Sequence, residues 1–163
     1  SQRQKVLDYI RIAKEEGAAC LLGGDVPADQ TISAGWFVEP TIFGDVTNDM
    51  RIAREEVFGP VLSIIPFEDE EDAIRIANDT IYGLAAGVWT RDMRRAIRMA
   101  DAIKAGTVWV NTYRAVSFMA PFGGFKKSGI GRENGQEAIY EFMQTKCVWL
   151  NLAEGVANPF VLR

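Results

Sequence analysis

Histidine is absent from the 163-residue sequence, and cysteine occurs only at Cys20 and Cys147. Without histidine there is no imidazole metal site and no Ser-His or Cys-His nucleophile pair. Two distant thiols, each inside an apolar run, supply neither a zinc ligand set of familiar spacing nor a disulfide framework. A reactive thiol needs a base, a cation or a helix N-terminus beside it; none stands near Cys20, and Cys147 falls in a strand pattern, so both read as apolar filler. No apolar stretch approaches the roughly 18 residues of a membrane span. Nor does one sign of charge prevail, since 18 basic and 22 acidic residues leave a formal net charge of -4. No nucleic acid and no membrane is therefore expected as a partner. The chain opens on Ser1 rather than on a methionine and passes at once into helix-period sequence with no signal-type segment, as expected of a piece of a longer protein.

What is present, 48% hydrophobic and 25% charged residues, is the composition of a globular protein. A chain of this length buries roughly two-thirds of its unfolded surface. Val6, Tyr9, Ile10 and Ala13 recur on one helical face, Gly17 stops that helix, and the apolar run through Leu22 reads as a strand. "GWFVEPTIFGDV" is β-rich, and Pro40 within it predicts an edge or a bulge rather than a central strand. Pro60 to Phe67 reads as a further strand closed by Pro66. The acidic start of "EDEEDAIRIANDT" suits the positive end of a helix dipole, with Ala73, Ile74 and Ala77 as its apolar stripe. After the strand "YGLAAGVWT" comes the clearest helix, "RDMRRAIRMADAIKAG", with Met93, Ala96, Ile97 and Ala100 in register, and then the strand "TVWVN". The alternation between Val61 and Asn111 predicts an α/β fold of βαβ units, a mostly parallel sheet flanked by helices. "ENGQEAIYEFMQ" reads as a helix, and the alternating "TKCVWLNL" as a C-terminal strand that completes a sheet in another subunit.

The loop "TYRAVSFMAPFGGFKKSGIGRENG" invites a phosphate-binding reading and does not support it. Gly129, Gly131 and Asn134 lack the third glycine of a dinucleotide fingerprint, and Lys126 stands where a Walker loop needs glycine. The glycines read as letting the loop fold back tightly, and Lys126, Lys127 and Arg132 as solvated surface rather than an anion site. Arg114, among Tyr113, Val116, Phe118 and Met119, is either paired or waiting for an anion. Trp89, Trp109 and Trp149 read as core or interface.

"REEVFGPVLSI" sets Glu55 and Glu56 at the mouth of an apolar strand, where a carboxylate loses hydration unless something binds it. Glu55 reads as a solvated turn residue. Glu56 is open between that reading and a ligand. A carboxylate accepts hydrogen bonds from two vicinal hydroxyls at once, each worth roughly 1.5–3 kcal/mol, which makes a sugar diol its natural partner. Phe58 lies on the same side if the backbone is extended, as an apolar wall for a flat ring.

"MRIAREEVFGPV" (Met50 to Val61), "YGLAAGVWT" (Tyr82 to Thr90), "AGTVWVN" (Ala105 to Asn111) and "PFGGFKKSGIGRENG" (Pro121 to Gly135) resemble four consecutive segments of the NAD(P)-dependent aldehyde dehydrogenase superfamily. Their order and spacing agree, and the wording is nearest the betaine-aldehyde and semialdehyde dehydrogenase branch. The resemblance implies that Glu56 grips the nicotinamide ribose hydroxyls of NAD or NADP and that Phe58 lies against the nicotinamide end. It implies that the loop from Asn111 to Phe122 lines the entrance for a small-molecule aldehyde, with Val116 and Phe122 as walls and Arg114 at the rim. Residues 1–112 would be most of the catalytic α/β domain, 113–143 the entrance loop and return helix, and 144–163 an oligomerisation strand and tail. The strand from Thr145 to Leu152 would join subunits of a cytoplasmic homo-oligomer, a dimer or tetramer.

In that family a thiolate in a G-Q-x-C segment attacks the aldehyde, the thiohemiacetal passes a hydride to the nicotinamide, and water releases the acid. The thiol, the general base and the adenosine-binding domain would all stand upstream of Ser1, so the stretch alone would hold no catalytic residue and be inactive. A non-enzymatic assembly or binding module that retains the fold, and an acyl-phosphate or acyl-thioester reductase, remain alternatives. Arg114 favours an anionic aldehyde, such as a semialdehyde carboxylate, over a cationic one, because like charges repel at a partly dry rim.

Overall fold

The structure, a computed structural model, describes residues 1–33, 35–152, 154, 155 and 160. Helix α1 (Gln2–Glu15) starts where Ser1 Oγ accepts a hydrogen bond from the Gln4 N–H at 3.4 Å. Its residues Val6, Ile10 and Ala13 are buried on one face, and the chain turns at Gly17 with φ 97°. Strand β1 (Ala19–Leu22) follows, then a short helix α2 (Gln30–Ser33) and strand β2 (Thr41–Gly44). A one-turn helix α3 (Arg51–Arg54) leads to β3 (Val61–Ser63), which runs parallel to β2, while β1 runs antiparallel to it.

The second half repeats the βαβ rule more cleanly. Helix α4 (Glu70–Asn78) connects to β4 (Ala85–Val88), helix α5 (Met93–Ala102) crosses over, and β5 (Thr107–Val110) pairs parallel with β4 in a separate sheet. Two of the three strand pairings among the described residues are therefore parallel, as the alternation of elements predicts. Beyond β5, a 3-10 turn at Lys126–Ser128 and a one-turn helix α6 (Glu137–Tyr140) are the regular pieces among the described residues, and the expected helix "ENGQEAIYEFMQ" is much shorter than its pattern. Residues 145–152 pair with no strand among the described residues.

The expectation for Pro40 is corrected. Strand β2 is the central strand of its sheet, in the order β1-β2-β3. Pro40 stands one residue ahead of the ladder, so its missing N–H interrupts nothing. The first ladder residue, Thr41, donates its N–H to Pro60 O at 2.8 Å, and its buried Oγ1 accepts from Gly24 N at 3.0 Å. Phe43, two residues on, is fully buried with Val6, Ile10, Ala13, Ala18, Val46 and Ile52. Truncating such a ring costs about 3–5 kcal/mol.

The second sheet is thinly covered. Among the described residues only Val88, Ala96 and Ile103 are buried apolar side chains there, and the stripe expected on α5 is half bare, with Met93 68% and Ile97 64% exposed. Trp89 and Trp149 are exposed as well, so neither belongs to a core within this chain. Cys20 and Cys147 are free and exposed, which overturns their reading as filler: β1 is an edge strand whose residues 20–22 are exposed, and 147 lies in the segment that pairs with no strand among the described residues. No helix among the described residues is long and apolar enough to cross a membrane.

Helices α4 and α5 are joined by charge. Asp69 caps α4 through the Asp72 N–H at 2.9 Å, and Glu70 accepts from Arg98 at 2.8 Å and from Arg95 at 3.1 Å. The Arg98 hydrogen bond, supported by Arg95 and opposed by partial desolvation, pulls the Glu70 carboxyl from 4.5 to about 2. A folded value below the unfolded one stabilises the fold fully above pH 4.5, and that contribution is lost as pH falls toward 2. Glu70→Gln is thus expected to lower the thermal midpoint at about pH 6 and to match the parent at about pH 2, as melts across that range will show.

Candidate functional site

The candidate site grows from the six residues between α3 and β3. Glu55, which ends α3, is gripped from two sides: Arg51 Nε and Nη2 donate to its two oxygens at 3.0 and 2.9 Å, and Tyr9 Oη donates to Oε2 at 2.6 Å. Arg51 lies 5.5 Å over the Tyr9 ring, so one cation serves both partners. These hydrogen bonds, Arg51 first and Tyr9 second, hold the Glu55 carboxyl down at about 2. Glu55 is therefore a structural clamp between α1 and α3, not the solvated turn residue its sequence context indicates.

Glu56 is the opposite case. Its side chain is exposed and its carboxylate has no hydrogen-bond or ion-pair partner among the described residues, while its backbone carbonyl accepts from Lys5 Nζ at 2.9 Å. Phe58 is 76% exposed and has φ 54°, so the fully extended backbone assumed for it is corrected to a left-handed turn. Gln2 Nε2 donates to Phe58 O at 2.9 Å and to Val57 O at 3.2 Å. At Gly59 the chain passes so close to α1 that an added Cβ would meet Val6 Cγ2 at 2.5 Å. Beside Phe58 opens a depression of about 440 Å³, lined by Gln2, Arg3, Trp36, Phe37 and Pro60 among others.

The second group of site residues follows β5. Trp109 Nε1 donates to Ala115 O at 2.8 Å and its ring meets Tyr113 edge-on at 5.8 Å, which folds the start of the loop against the strand end. Arg114 (φ 55°) and Val116 are exposed, and the guanidinium has no partner among the described residues. Phe122 is half-buried in a bridge with Glu133, closed by two hydrogen bonds of 2.7 Å. No hydrogen bond or ion pair among the described residues joins Arg114, Val116 or Phe122 to Glu56 or Phe58. Sequence reasoning missed Gln2, Lys5 and Tyr9, whose signal is that helix α1 carries polar groups three and four residues apart, and Arg51, whose signal is its place four residues before Glu55.

The glycine-rich segment packs backbone against backbone. A Cβ on Gly106 would strike the Gly123 carbonyl, while Gly83 N donates to Ser128 Oγ at 3.0 Å and Phe125 N to Gly83 O at 2.8 Å. Lys126 Nζ donates to Asn78 O and Thr80 O at 3.0 Å each, capping the end of α4, and Arg132 Nη1 donates to Gly124 O and Gly131 O at 3.0 and 2.9 Å. The reading of Lys126 and Arg132 as solvated surface is thus corrected, because both cations serve loop carbonyls. Gly106→Ala is expected to cost about 1–3 kcal/mol and to speed hydrogen exchange at the Phe125 amide; a measured loss near zero would contradict this packing.

The sequence matches the aldehyde dehydrogenase family over residues 1–148. It is 52% identical over 160 residues to a betaine aldehyde dehydrogenase of Brucella anthropi, covering 98% of this chain and 33% of that protein. In structure it resembles a betaine aldehyde dehydrogenase from Staphylococcus aureus in complex with NAD+, at TM-score 0.92 and 42% identity over 98% of this chain and 33% of the other. It also resembles a P. syringae indole-3-acetaldehyde dehydrogenase in complex with NAD+, at TM-score 0.87 and 48% identity over 93% of this chain and 30% of the other. The chain belongs to the aldehyde dehydrogenase family and spans about one third of the length of these relatives.

Proposed function

We propose that this chain is the C-terminal part of an NAD(P)-dependent enzyme that oxidises an aldehyde to a carboxylic acid, and that Glu56 and Phe58 hold the nicotinamide end of the cofactor. The observation that carries this reading is the contrast between neighbours: Glu55 is saturated by Arg51 and Tyr9, while the Glu56 carboxylate is exposed with both oxygens free among the described residues. Two free acceptors on one carboxylate fit a ribose diol, and an exposed ring two residues away fits a flat heteroaromatic group. The solved relatives in complex with NAD+ support a nicotinamide dinucleotide as the cofactor. When bound, the nicotinamide supplies a hydride acceptor. The chain's own residues orient it: Glu56 fixes the ribose, and Phe58 backs the ring.

The remaining parts follow from the family. Residues 1–112 form most of the catalytic α/β domain, 113–143 the entrance loop and return helix, and 144–163 the oligomerisation strand and tail of a cytoplasmic homo-oligomer. The nucleophilic thiol and the general base lie outside this chain, which has no activity alone. Val116 and Phe122 wall the aldehyde entrance, and Arg114, an exposed guanidinium without a partner among the described residues, favours an anionic aldehyde. The names of the relatives do not choose a substrate, since comparable identities reach proteins named for betaine aldehyde and for indole-3-acetaldehyde.

In the full-length protein, Glu56→Gln is expected to slow hydride transfer by about tenfold while weakening cofactor binding less, because one charge-assisted acceptor becomes neutral. Equal pre-steady-state hydride rates for variant and parent would remove the assignment. Arg114→Ala is expected to lower kcat/KM for succinic semialdehyde by roughly fivefold and to leave that for betaine aldehyde unchanged or higher. A parent enzyme that prefers betaine aldehyde would overturn the anionic reading.

A further inference from the structure

After β5 the chain turns away from the sheet, and two side chains at the end of the strand fix how it does so. Asn111 holds the start. Its N–H donates to Val88 O at 2.9 Å, its Oδ1 accepts from Thr90 N at 2.9 Å and its Nδ2 donates to Thr90 O at 2.9 Å, so a residue with a left-handed φ of 52° is tied three times to the end of β4. Trp109 holds the far side of the turn, where its indole N–H reaches six residues ahead to Ala115 O at 2.8 Å. Among the described residues this is the one hydrogen bond that the stretch 112–116 makes. It fixes the peptide between Ala115 and Val116. Arg114, just before that peptide, has a second left-handed φ of 55°, a conformation that a non-glycine residue keeps only where its surroundings impose it. The edge-on contact of the Trp109 ring with Tyr113 at 5.8 Å closes the same turn.

We propose that Trp109 is a positioning residue for aldehyde selection: its indole N–H sets the direction in which Arg114 and Val116 leave the end of β5, without touching the aldehyde itself. The inference rests on the entrance reading above and extends it to a residue whose sequence context indicates only core or interface. Arg114 and Val116 are exposed, and neither side chain has a polar partner among the described residues, so the turn beneath them is what holds them. An anion is selected by a cation at a defined distance. A guanidinium on a loose turn discriminates less, because the attraction falls with separation and solvent screens it. Trp109 itself is half-buried in β5, so a phenyl ring at this position still fills the strand and faces Tyr113, and only the donor is lost.

The test is a double-mutant cycle of Trp109→Phe with Arg114→Ala in the full-length protein, read as the ratio of kcat/KM for succinic semialdehyde, an anion, to that for propionaldehyde, an uncharged probe. Trp109→Phe is expected to lower this ratio by about threefold, through a higher KM for the anion at an unchanged kcat. In the Arg114→Ala background the same substitution is expected to leave the ratio where it is, because no cation remains to be aimed. A tryptophan that only fills space would lower both kcat/KM values alike and leave the ratio unchanged; that result, or the same threefold change in the Arg114→Ala background, overturns the proposal. A ratio that Arg114→Ala alone leaves at the parent value instead removes the anionic reading of the entrance, and the positioning role with it. If Trp109→Phe does not fold, replacement of Trp109 by benzothienylalanine, which keeps the size and puts sulfur in place of the N–H, decides in the same cycle: a lowered ratio supports the proposal and an unchanged one overturns it.

Discussion

The clamp on Glu55 is the constraint from which the rest of the site follows. Arg51 and Tyr9 come from different helices and converge on one carboxylate, so α1 and α3 are fixed relative to each other at the residue next to Glu56. An exposed ion pair contributes little by itself, but a bidentate guanidinium backed by a phenol defines a geometry as well as an energy. Once Glu55 is anchored, the next peptides have a short and determined course over α1 to β3, with Gly59 allowing the closest approach at Val6. The two adjacent carboxylates thus divide the work. One is satisfied within the fold, and the other has its oxygens free among the described residues.

A second constraint is coverage. The first sheet has a true core, with Phe43 sealed under α1, but the second has few buried apolar residues among the described ones and leaves Trp89, Met93 and Ile97 in the open. Strands β3 and β4, joined by α4, lie in different sheets, and each has an edge with no partner strand among the described residues. Apolar exposure on this scale is more than an isolated globular domain normally tolerates, and it agrees with a chain that spans about one third of its relatives. The charge pairing of Glu70 with Arg95 and Arg98 holds α4 to α5 where apolar contact is sparse.

The glycine-rich loop shows how a familiar composition serves a different purpose. Its glycines allow backbone to lie against backbone, as at Gly106 and Gly123, and its cations close over carbonyls rather than over an anion. The result is a plug that ties Gly83 and the end of α4 to the segment carrying Phe122. Phe122 is thereby held on a rigid bridge, whereas Arg114 and Val116 sit on the exposed turn after β5.

Local periodicity alone determined α1, α4, α5 and the strands around them, because apolar spacing selects helix or strand before any tertiary contact forms. It also marked Glu56, since a carboxylate before a buried strand is costly unless it has a task. It misjudged Pro40, because the ladder begins one residue later than the β-rich run, and it misjudged Glu55, Lys126 and Arg132, because their partners lie 46, 48 and 8 residues away or closer. Whether a charged side chain is free or satisfied depends on which distant groups the fold brings within hydrogen-bonding distance. Sequence supplied the donors and acceptors; only the tertiary structure decided that Tyr9 and Arg51 take Glu55, that Lys5 takes the carbonyl of Glu56, and that the carboxylate of Glu56 is left over.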